Sequence, residues 1–365
     1  MIYECPSSNT DKTSFQNVDN YFIHDYPPTP VTHSMLLLPL RYSVMNGDAT
    51  SVFFAGQVPN ALVAHWHASI PGFKEPHFIP AIPTNAKVHA YLPMEGFENN
   101  VHDPDVHYRL AGKDVINEMT DKTTKLLPNT KTVRPCIAKV THAKGSLGIF
   151  VIRNDDDEAE FAEFLDISGN PDYVVTELVN IHQNLSCHFF MHPNGDVIWF
   201  GSSENLQLAD GTWSDDSTIE LKKQELYREM MAPYVRDVVQ YCLLNGHWGF
   251  AGIDVLFDFD GAGYTVDVNP RVTGTMPALM AAQLLNRSDL EIGKFRKSSK
   301  YTYFGGCDEL MAKVEAYNAK HSEESMIIVL SAFESEPSKT FCNMAVFGKS
   351  HDGCESVIES FLQTR

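Results

Sequence analysis

Apolar residues arrive along this chain in short bursts separated by Gly, Pro and Asn/Asp punctuation, the pattern of strands and helices of ordinary globular length. Early in the chain, Met35-Leu36-Leu37-Leu38 and Ser51-Val52-Phe53-Phe54 have strand length, and His65-Trp66-His67 and Asp105-Val106-His107-Tyr108-Arg109-Leu110 read as extended too. Together they predict a small α/β unit. Residues 113–127 have helical composition, with Val115, Ile116 and Met119 at helix-like spacing and Pro128-Asn129-Thr130 as a stop. Residues 135–140 and 149–152 then read as two strands around Gly145-Ser146-Leu147-Gly148, a hairpin with a Gly-rich tip. Residues 156–165, acidic at their start, predict a helix whose negative charges sit at the positive end of its dipole. A strand over 173–178 follows, then strands over 186–191 and 196–200 around the turn sequence His192-Pro193-Asn194-Gly195. Residues 220–244 form a long periodic helix, with Leu226, Met230, Val235, Val238 and Val239 among its apolar positions and Asn245-Gly246 as its stop. Strands over 252–257 and 264–268 are joined by a turn containing Asp258 and Asp260. The last third predicts a helix (310–320), two strands (326–333, 341–347) and a final helix (354–363), with no internal repeat.

Composition narrows the class of protein. With 365 residues, 43% hydrophobic and 21% charged, the chain can bury a large core divided among several subdomains. Its 28 basic and 47 acidic side chains give a net charge of -19, which repels nucleic acid and anionic membrane surfaces. A small anionic ligand such as a nucleotide needs a local reversal of sign, made by Lys, Arg and backbone N–H groups with a divalent cation. Seven scattered cysteines without a CxxC pair fit a reducing compartment. Residues 1–30, polar and broken by Pro27, Pro28 and Pro30, lack a signal-peptide pattern and read as a tail. No apolar run approaches the ~20 residues that span a bilayer, so a cytosolic protein is expected.

The densest chemistry lies in Gly252-Ile253-Asp254-Val255 and Thr265-Val266-Asp267-Val268-Asn269-Pro270-Arg271. On adjacent antiparallel strands Asp254, Asp267 and Asn269 share a face, because Asp267 and Asn269 are two positions apart and strand side chains alternate. Two carboxylates and an amide oxygen suit a hard cation such as Mg²⁺, with Mn²⁺ as the alternative. Asp258 and Asp260 read as turn residues. His65 and His67 lack a third ligand, Gly305-Gly306-Cys307 reads as an ordinary loop cysteine, and Glu204 and Gln207 belong to a loop facing the ligand.

This pattern resembles the metal and triphosphate end of the ATP-grasp superfamily, in which Glu usually stands at the position of Asp267. The resemblance covers about 113–275 and implies an ATP-grasp fold with an N-terminal α/β domain. It places Lys139 on the ATP phosphates, with Lys144, Gly145 and Ser146 in the loop that closes over them. Lys113 resembles the first nucleotide lysine, with Lys122 competing for that role. Glu177, Leu178 and Val179 resemble the adenine hinge, and Asn184 stands where a ribose-binding Glu is usual. Arg271 is implied as the main cation at the reacting centre, with Gly274-Thr275 near the acceptor. The activity implied is ATP-dependent ligation of a small-molecule carboxylate to an amine through an acyl phosphate, releasing ADP and phosphate, without nucleic acid or membrane as partner. A small-molecule kinase on the same fold and a non-catalytic nucleotide-binding module are the alternatives, and a homodimer stays open. The expected division is a tail (1–30), an N-terminal α/β domain (31–112), a lid subdomain (113–180), a larger subdomain with the metal site (181–290) and a C-terminal segment packed on the core (291–365).

Overall fold

A computed structural model describes residues 13–16, 33–48, 51–54, 57–79, 87–90, 100–142, 148–207, 213–296, 301–336 and 338–364. The N-terminal part runs β1 (Thr13–Gln16), α1 (His33–Asn46), β2 (Ser51–Phe53), α2 (Asn60–Ser69), β3 (His77–Ile79) and β4 (Lys87–Ala90). Its four strands make a parallel sheet in the order β3-β2-β1-β4. After α3 (Pro104–Leu110) and α4 (Ile116–Met119) comes an antiparallel sheet, β5-β8-β6-β7, built from β5 (Leu126–Leu127), β6 (Cys136–Val140), β7 (Ile149–Ile152) and β8 (Tyr173–Glu177), with α5 (Asp155–Ile167) on it. Strands β9 (Ile181–Met191), β10 (Val197–Gln207) and β11 (Trp213–Glu220) precede α6 (Gln224–Leu244), β12 (Gly249–Asp258), β13 (Gly263–Asn269) and α7 (Met276–Leu285). The chain ends with β14 (Ile292–Arg296), β15 (Tyr301–Tyr303), α8 (Cys307–His321), β16 (Ser325–Glu336), β17 (Lys339–Gly348), α9 (His351–Phe361) and β18 (Gln363–Thr364).

Ten strands form one large sheet, ordered β13-β12-β9-β10-β11-β14-β17-β15-β18, with β16 also on β17. The C-terminal strands therefore extend the large sheet while α8 and α9 pack on it, and Thr13–Gln16, expected in the tail, supplies a strand of the N-terminal sheet. Strand alternation gives the large sheet two lined faces. Leu185, Cys187, Phe189 and Met191 pack with Tyr227, Met231, Val235 and Val238 of α6; Val235, Val238 and Val239 are buried as expected, whereas the first turns bury Tyr227 and Met231, leaving Leu226 exposed and Met230 half-buried. Phe190, Phe200, Phe250 and Phe295 face the other way, into the core shared with α1, α2 and α7.

Three elements expected as strands are helices. Met35–Leu38 falls in α1, where an apolar run broken by Pro39 is buried rather than pleated; Leu37 and Leu40 are fully enclosed. Short apolar runs do not separate buried helix from strand by period alone. Residues 105–110 are helical because Asp103 caps the Asp105 N–H (2.9 Å) and Pro104 takes the first turn. His65 and His67, expected on one side of a strand, part company on α2: His65 is buried and His67 faces Glu75 at 3.6 Å in solvent. Residues 113–127 hold only the one-turn α4, with Lys113 on the bend before it and Leu126–Leu127 in a strand.

His65 and Trp66 close the free edge of β16. The Val329 N–H donates to His65 Nε2 (3.0 Å), and Trp66 Nε1 donates to the Val329 carbonyl (2.9 Å). His65 must be neutral to accept that bond, and burial pushes its pKa down to about 4. Its unfolded value lies near 6.5, so the unfolded chain binds more protons between pH 6.5 and 4. The contribution is intact above pH 6.5 and is lost as pH falls through that window, reaching about 3 kcal/mol. We expect urea midpoints at pH 7 and 4.5 to separate more in the wild type than in His65→Gln; equal separations would exclude His65 as an acid-labile contact.

Candidate active site

Strand register brings the predicted acids together. Asp254 on β12 lies directly opposite Asp267 on β13 and Ser186 on β9, while Asn269 lies opposite Gly252. Asp254, Asp267 and Asn269 are half-buried, whereas Val268 between the last two is buried against α6. The Ser186 hydroxyl donates to Asp254 Oδ1. Asn269 Nδ2 donates to Asp267 Oδ2 (3.0 Å), and Arg271 Nη2 donates to Asn269 Oδ1 (2.7 Å), so acid, amide and guanidinium form one chain.

Two lysines meet these acids from the smaller antiparallel sheet and its approach. Lys113 is buried; its backbone N–H donates to the Thr141 carbonyl (3.1 Å) and its Nζ stands 3.5 Å from Asp267 Oδ1. Lys139 is buried on β6. Burial pushes its ammonium down to about 8, the Lys113 charge adding to the shift while Asp267 and Asp254 oppose it. Burial also works to raise the Asp267 carboxyl, but Lys113, the Asn269 amide, Arg271 and Lys139 outweigh it and hold it below the ordinary value. Three cations thus face two carboxylates, a net positive patch in a chain of net charge -19. Lys122 does not compete: it pairs with Asp237 of α6 at 2.6 Å.

Asn184, buried on β9, shares the Ser186 face two positions away, and its Oδ1 has no hydrogen-bond partner. An orphaned buried acceptor is unusual in a folded protein, and a ligand hydroxyl would satisfy it. Beyond β8, Glu177, Leu178 and Val179 line a groove of about 250 Å³ with Asn180, Asp258, Phe259, Asp260 and Tyr264. The Glu177 carboxylate accepts the Lys125 N–H (2.9 Å), fixing the segment that leaves β8. Asp258 accepts the Asp260 and Ala262 N–H groups (2.9 Å each), the turn role expected of it. Lys144, Gly145 and Ser146 lie outside the described residues. Gly148, at the far end of that tip, has φ +70°, and a Cβ there would come within 2.9 Å of Val140, so the hairpin needs glycine at this position.

Several contributors were not found from sequence. Ser186 and His188 alternate with Asn184 on β9, a run of polar side chains on a buried strand face that could have marked the cleft. His188 Nδ1 meets Thr273 Oγ1 at 2.6 Å and so ties down the segment after Arg271. Gly252 leaves room for that contact: a Cβ would lie 2.7 Å from Thr273 Cγ2 and 3.2 Å from His188 Nδ1. Gly252→Ala is expected to push the 271–273 segment outward, costing about 1–3 kcal/mol in a urea titration. An unchanged midpoint would show that the segment has slack. Glu204, expected in a loop facing the ligand, lies on β10 and turns to the α6 side, bonded to Gln183 (3.1 Å) and Tyr227; Gln207 ends the same strand. Cys307, expected in a loop, begins α8, buried, with its thiol pushed up to about 12 by burial, which rules out a reactive thiolate.

Among the described residues, no three His, Cys, Asp or Glu side chains gather as a metal site of their own. The set at Asp254, Asp267 and Asn269 is two carboxylates and an amide, the donor chemistry of a hard cation that shares its remaining positions with phosphate oxygens. No described helix is long and apolar enough to cross a membrane.

Residues 118–269 match a family model described as L-aspartate–L-methionine ligase, ATP grasp. No curated protein matches the chain. Among solved structures, an L-amino acid ligase from Bacillus licheniformis aligns over 98% of this chain and 99% of its own, with a TM-score of 0.56 and 10% identity. The N5-carboxyaminoimidazole synthetase from Staphylococcus aureus, complexed with ADP, aligns over 98% of each chain with a TM-score of 0.55 and 12% identity. A carboxyaminoimidazole ribonucleotide synthase from Aspergillus clavatus, complexed with ATP, aligns over 96% of this chain and 97% of its own with a TM-score of 0.55 and 10% identity. The α/β architecture and the ATP-grasp resemblance are borne out by this likeness.

Proposed function

We propose that this ATP-grasp protein is an ADP-forming carboxylate–amine ligase that joins amino acids, with L-aspartate and L-methionine as the first pair to test. The ligase class agrees with the matching family model and with the L-amino acid ligase among the structural neighbours. The observation that carries the reading is the convergence of Lys113, Lys139 and Arg271 on the opposed pair Asp254 and Asp267.

The roles follow from charge and position. Lys113 and Lys139 hold the ATP phosphates, whose negative charge adds to that of Asp254 and Asp267 around the buried ammonium of Lys139. Asn184 accepts from a ribose hydroxyl, the backbone at Leu178 and Val179 reads the adenine edge, and Lys144, Gly145 and Ser146 belong to the closing loop. Asp254, Asp267 and Asn269 would hold Mg²⁺, or Mn²⁺ in its place, which would supply charge neutralisation for the phosphates. A carboxylate oxygen of the first substrate attacks the γ-phosphorus as its bond to ADP breaks, giving an acyl phosphate. The amine of the second attacks the acyl carbon, phosphate leaves, and the amine loses a proton. Arg271, anchored on Asn269, offsets the charge of the transferred group, and positioning and charge account for the catalysis without a dedicated base. The test is incubation with ATP, Mg²⁺ and amino acids, reading ADP and phosphate. Release of AMP and pyrophosphate would sink the mechanism, and a phosphorylated product without an amide would favour a kinase.

A further inference from the structure

Arg41 lies mid-way along α1, 5% exposed, and has no carboxylate within ion-pair distance among the described residues. Its Nη1 donates to Asn343 Oδ1 (3.2 Å) and its Nη2 to the Tyr42 hydroxyl (3.1 Å), while its guanidinium carbon sits 5.0 Å from the Tyr42 ring centre and 5.8 Å from that of Phe295. A guanidinium has five N–H donors. Three remain beyond these bonds, and one of them, at Nε, is fully enclosed without an acceptor. Asn343 is in the same condition: its Oδ1 accepts from both Arg41 and Ser331 (2.9 Å), and its buried Nδ2 finds no acceptor. A buried cation without a counter-charge costs several kcal/mol. Two adjacent orphaned groups, both donors, define a place where an anion is missing from the balance.

The position agrees with that sign. Ala345, two residues from Asn343 on β17, pairs with Phe295 on β14, and Phe295 pairs with Ser217 on β11. Ser217 Oγ contacts Thr275 Oγ1 (3.1 Å) and donates to Asn205 Oδ1 (3.4 Å); Asn205 Nδ2 donates to Ser186 Oγ (2.6 Å), and Ser186 holds Asp254. A rank of hydroxyls and amides thus runs along one sheet face from the metal carboxylates toward Arg41. From β12 to β14 is four strand spacings, about 19 Å. The cation and the transferred phosphoryl group take up the near end, two linked amino acids span about 7 Å, and the arginine side chain reaches in from the far end.

We infer that Arg41 and Asn343 form a subsite for a carboxylate group, the one that the acceptor amino acid keeps when its amine is acylated. This rests on the ligase reading above. The single charge and planar fork of Arg41 match a carboxylate, two N–H groups meeting its two oxygens while Asn343 Oδ1 holds the fork in place. An acceptor without that carboxylate leaves the guanidinium buried and unbalanced, so the site rejects it.

The test uses the whole chain. Thermal stabilisation by each of the twenty L-amino acids, by their α-amides and by inorganic phosphate is measured without ATP, on wild type, R41M, R41K and N343A. At least one amino acid stabilises the wild type and its amide does not; R41M loses the effect, with affinity reduced at least about 30-fold, R41K keeps part of it, and N343A weakens it several-fold. In the ADP-release assay R41M raises KM for that amino acid by a similar factor and leaves KM for ATP unchanged. The subsite is overturned if no amino acid stabilises the wild type, if acid and amide act alike, if phosphate alone acts, or if R41M and N343A both bind as the wild type does. Arg41-dependent binding of an amino acid without ADP release would leave the subsite standing and remove the ligase reading.

Discussion

Asp267→Asn is expected to lower turnover at least ~10²-fold while the protein stays folded. The amide keeps the shape of the side chain but removes one of the two negative charges that Lys113, Lys139 and Arg271 surround. Mg²⁺ then loses a charged ligand, and Lys113, 3.5 Å from the lost charge, turns toward Asp254 or the phosphates. The Mg²⁺ dependence of ADP release should move to higher concentration along with the fall in rate. Near-normal turnover at ordinary Mg²⁺ would remove Asp267 from the site.

Lys139→Met has the opposite profile: little or no loss of stability without nucleotide, and a large loss with it. The wild-type ammonium is held down to about 8 by burial and by Lys113, so in the empty protein its charge is an unfavourable one. An unfolded lysine titrates near 10.5, and between these values the unfolded chain binds more protons. Wild-type stability therefore rises with pH from about 8 to 10.5, and the variant lacks that rise. At neutral pH the empty variant should be at least as stable as the wild type. MgATP at 100-fold over its dissociation constant adds about 2.7 kcal/mol to the wild type, and the variant should lose most of that. Denaturation curves with and without MgATP decide it; equal nucleotide stabilisation in both proteins would place the phosphate site elsewhere.

The site was legible in sequence where chemistry and strand period coincide. Asp254, Asp267 and Asn269 could be set on one face because a strand's alternation is fixed, and their register turned out to pair the two acids directly. Lys139 was pointed to by the family resemblance, and it lies on the strand before the glycines. In the N-terminal third α1 was misread because its described side chains between Leu37 and Met45 are buried all round the helix. The α1 run around Pro39 and the pair His65-Trp66 carry no polar face from which a period can be taken. Arg41, Ser186 and His188 escaped because each looks ordinary alone. Arg41 acquires its meaning only when Asn343, 302 positions away, closes on it.

The clip of His65 and Trp66 on Val329 has a consequence for how the chain is made. These bonds join positions 264 and 263 residues apart. A ribosome adding ~5–20 residues per second needs roughly 13–50 s to travel that distance, and for all of it α1 and α2 wait without the strands they cover. The first part of the molecule is thus completed by the last, and a nascent chain halted before residue 329 would present these apolar helices to chaperones rather than to a partner of its own.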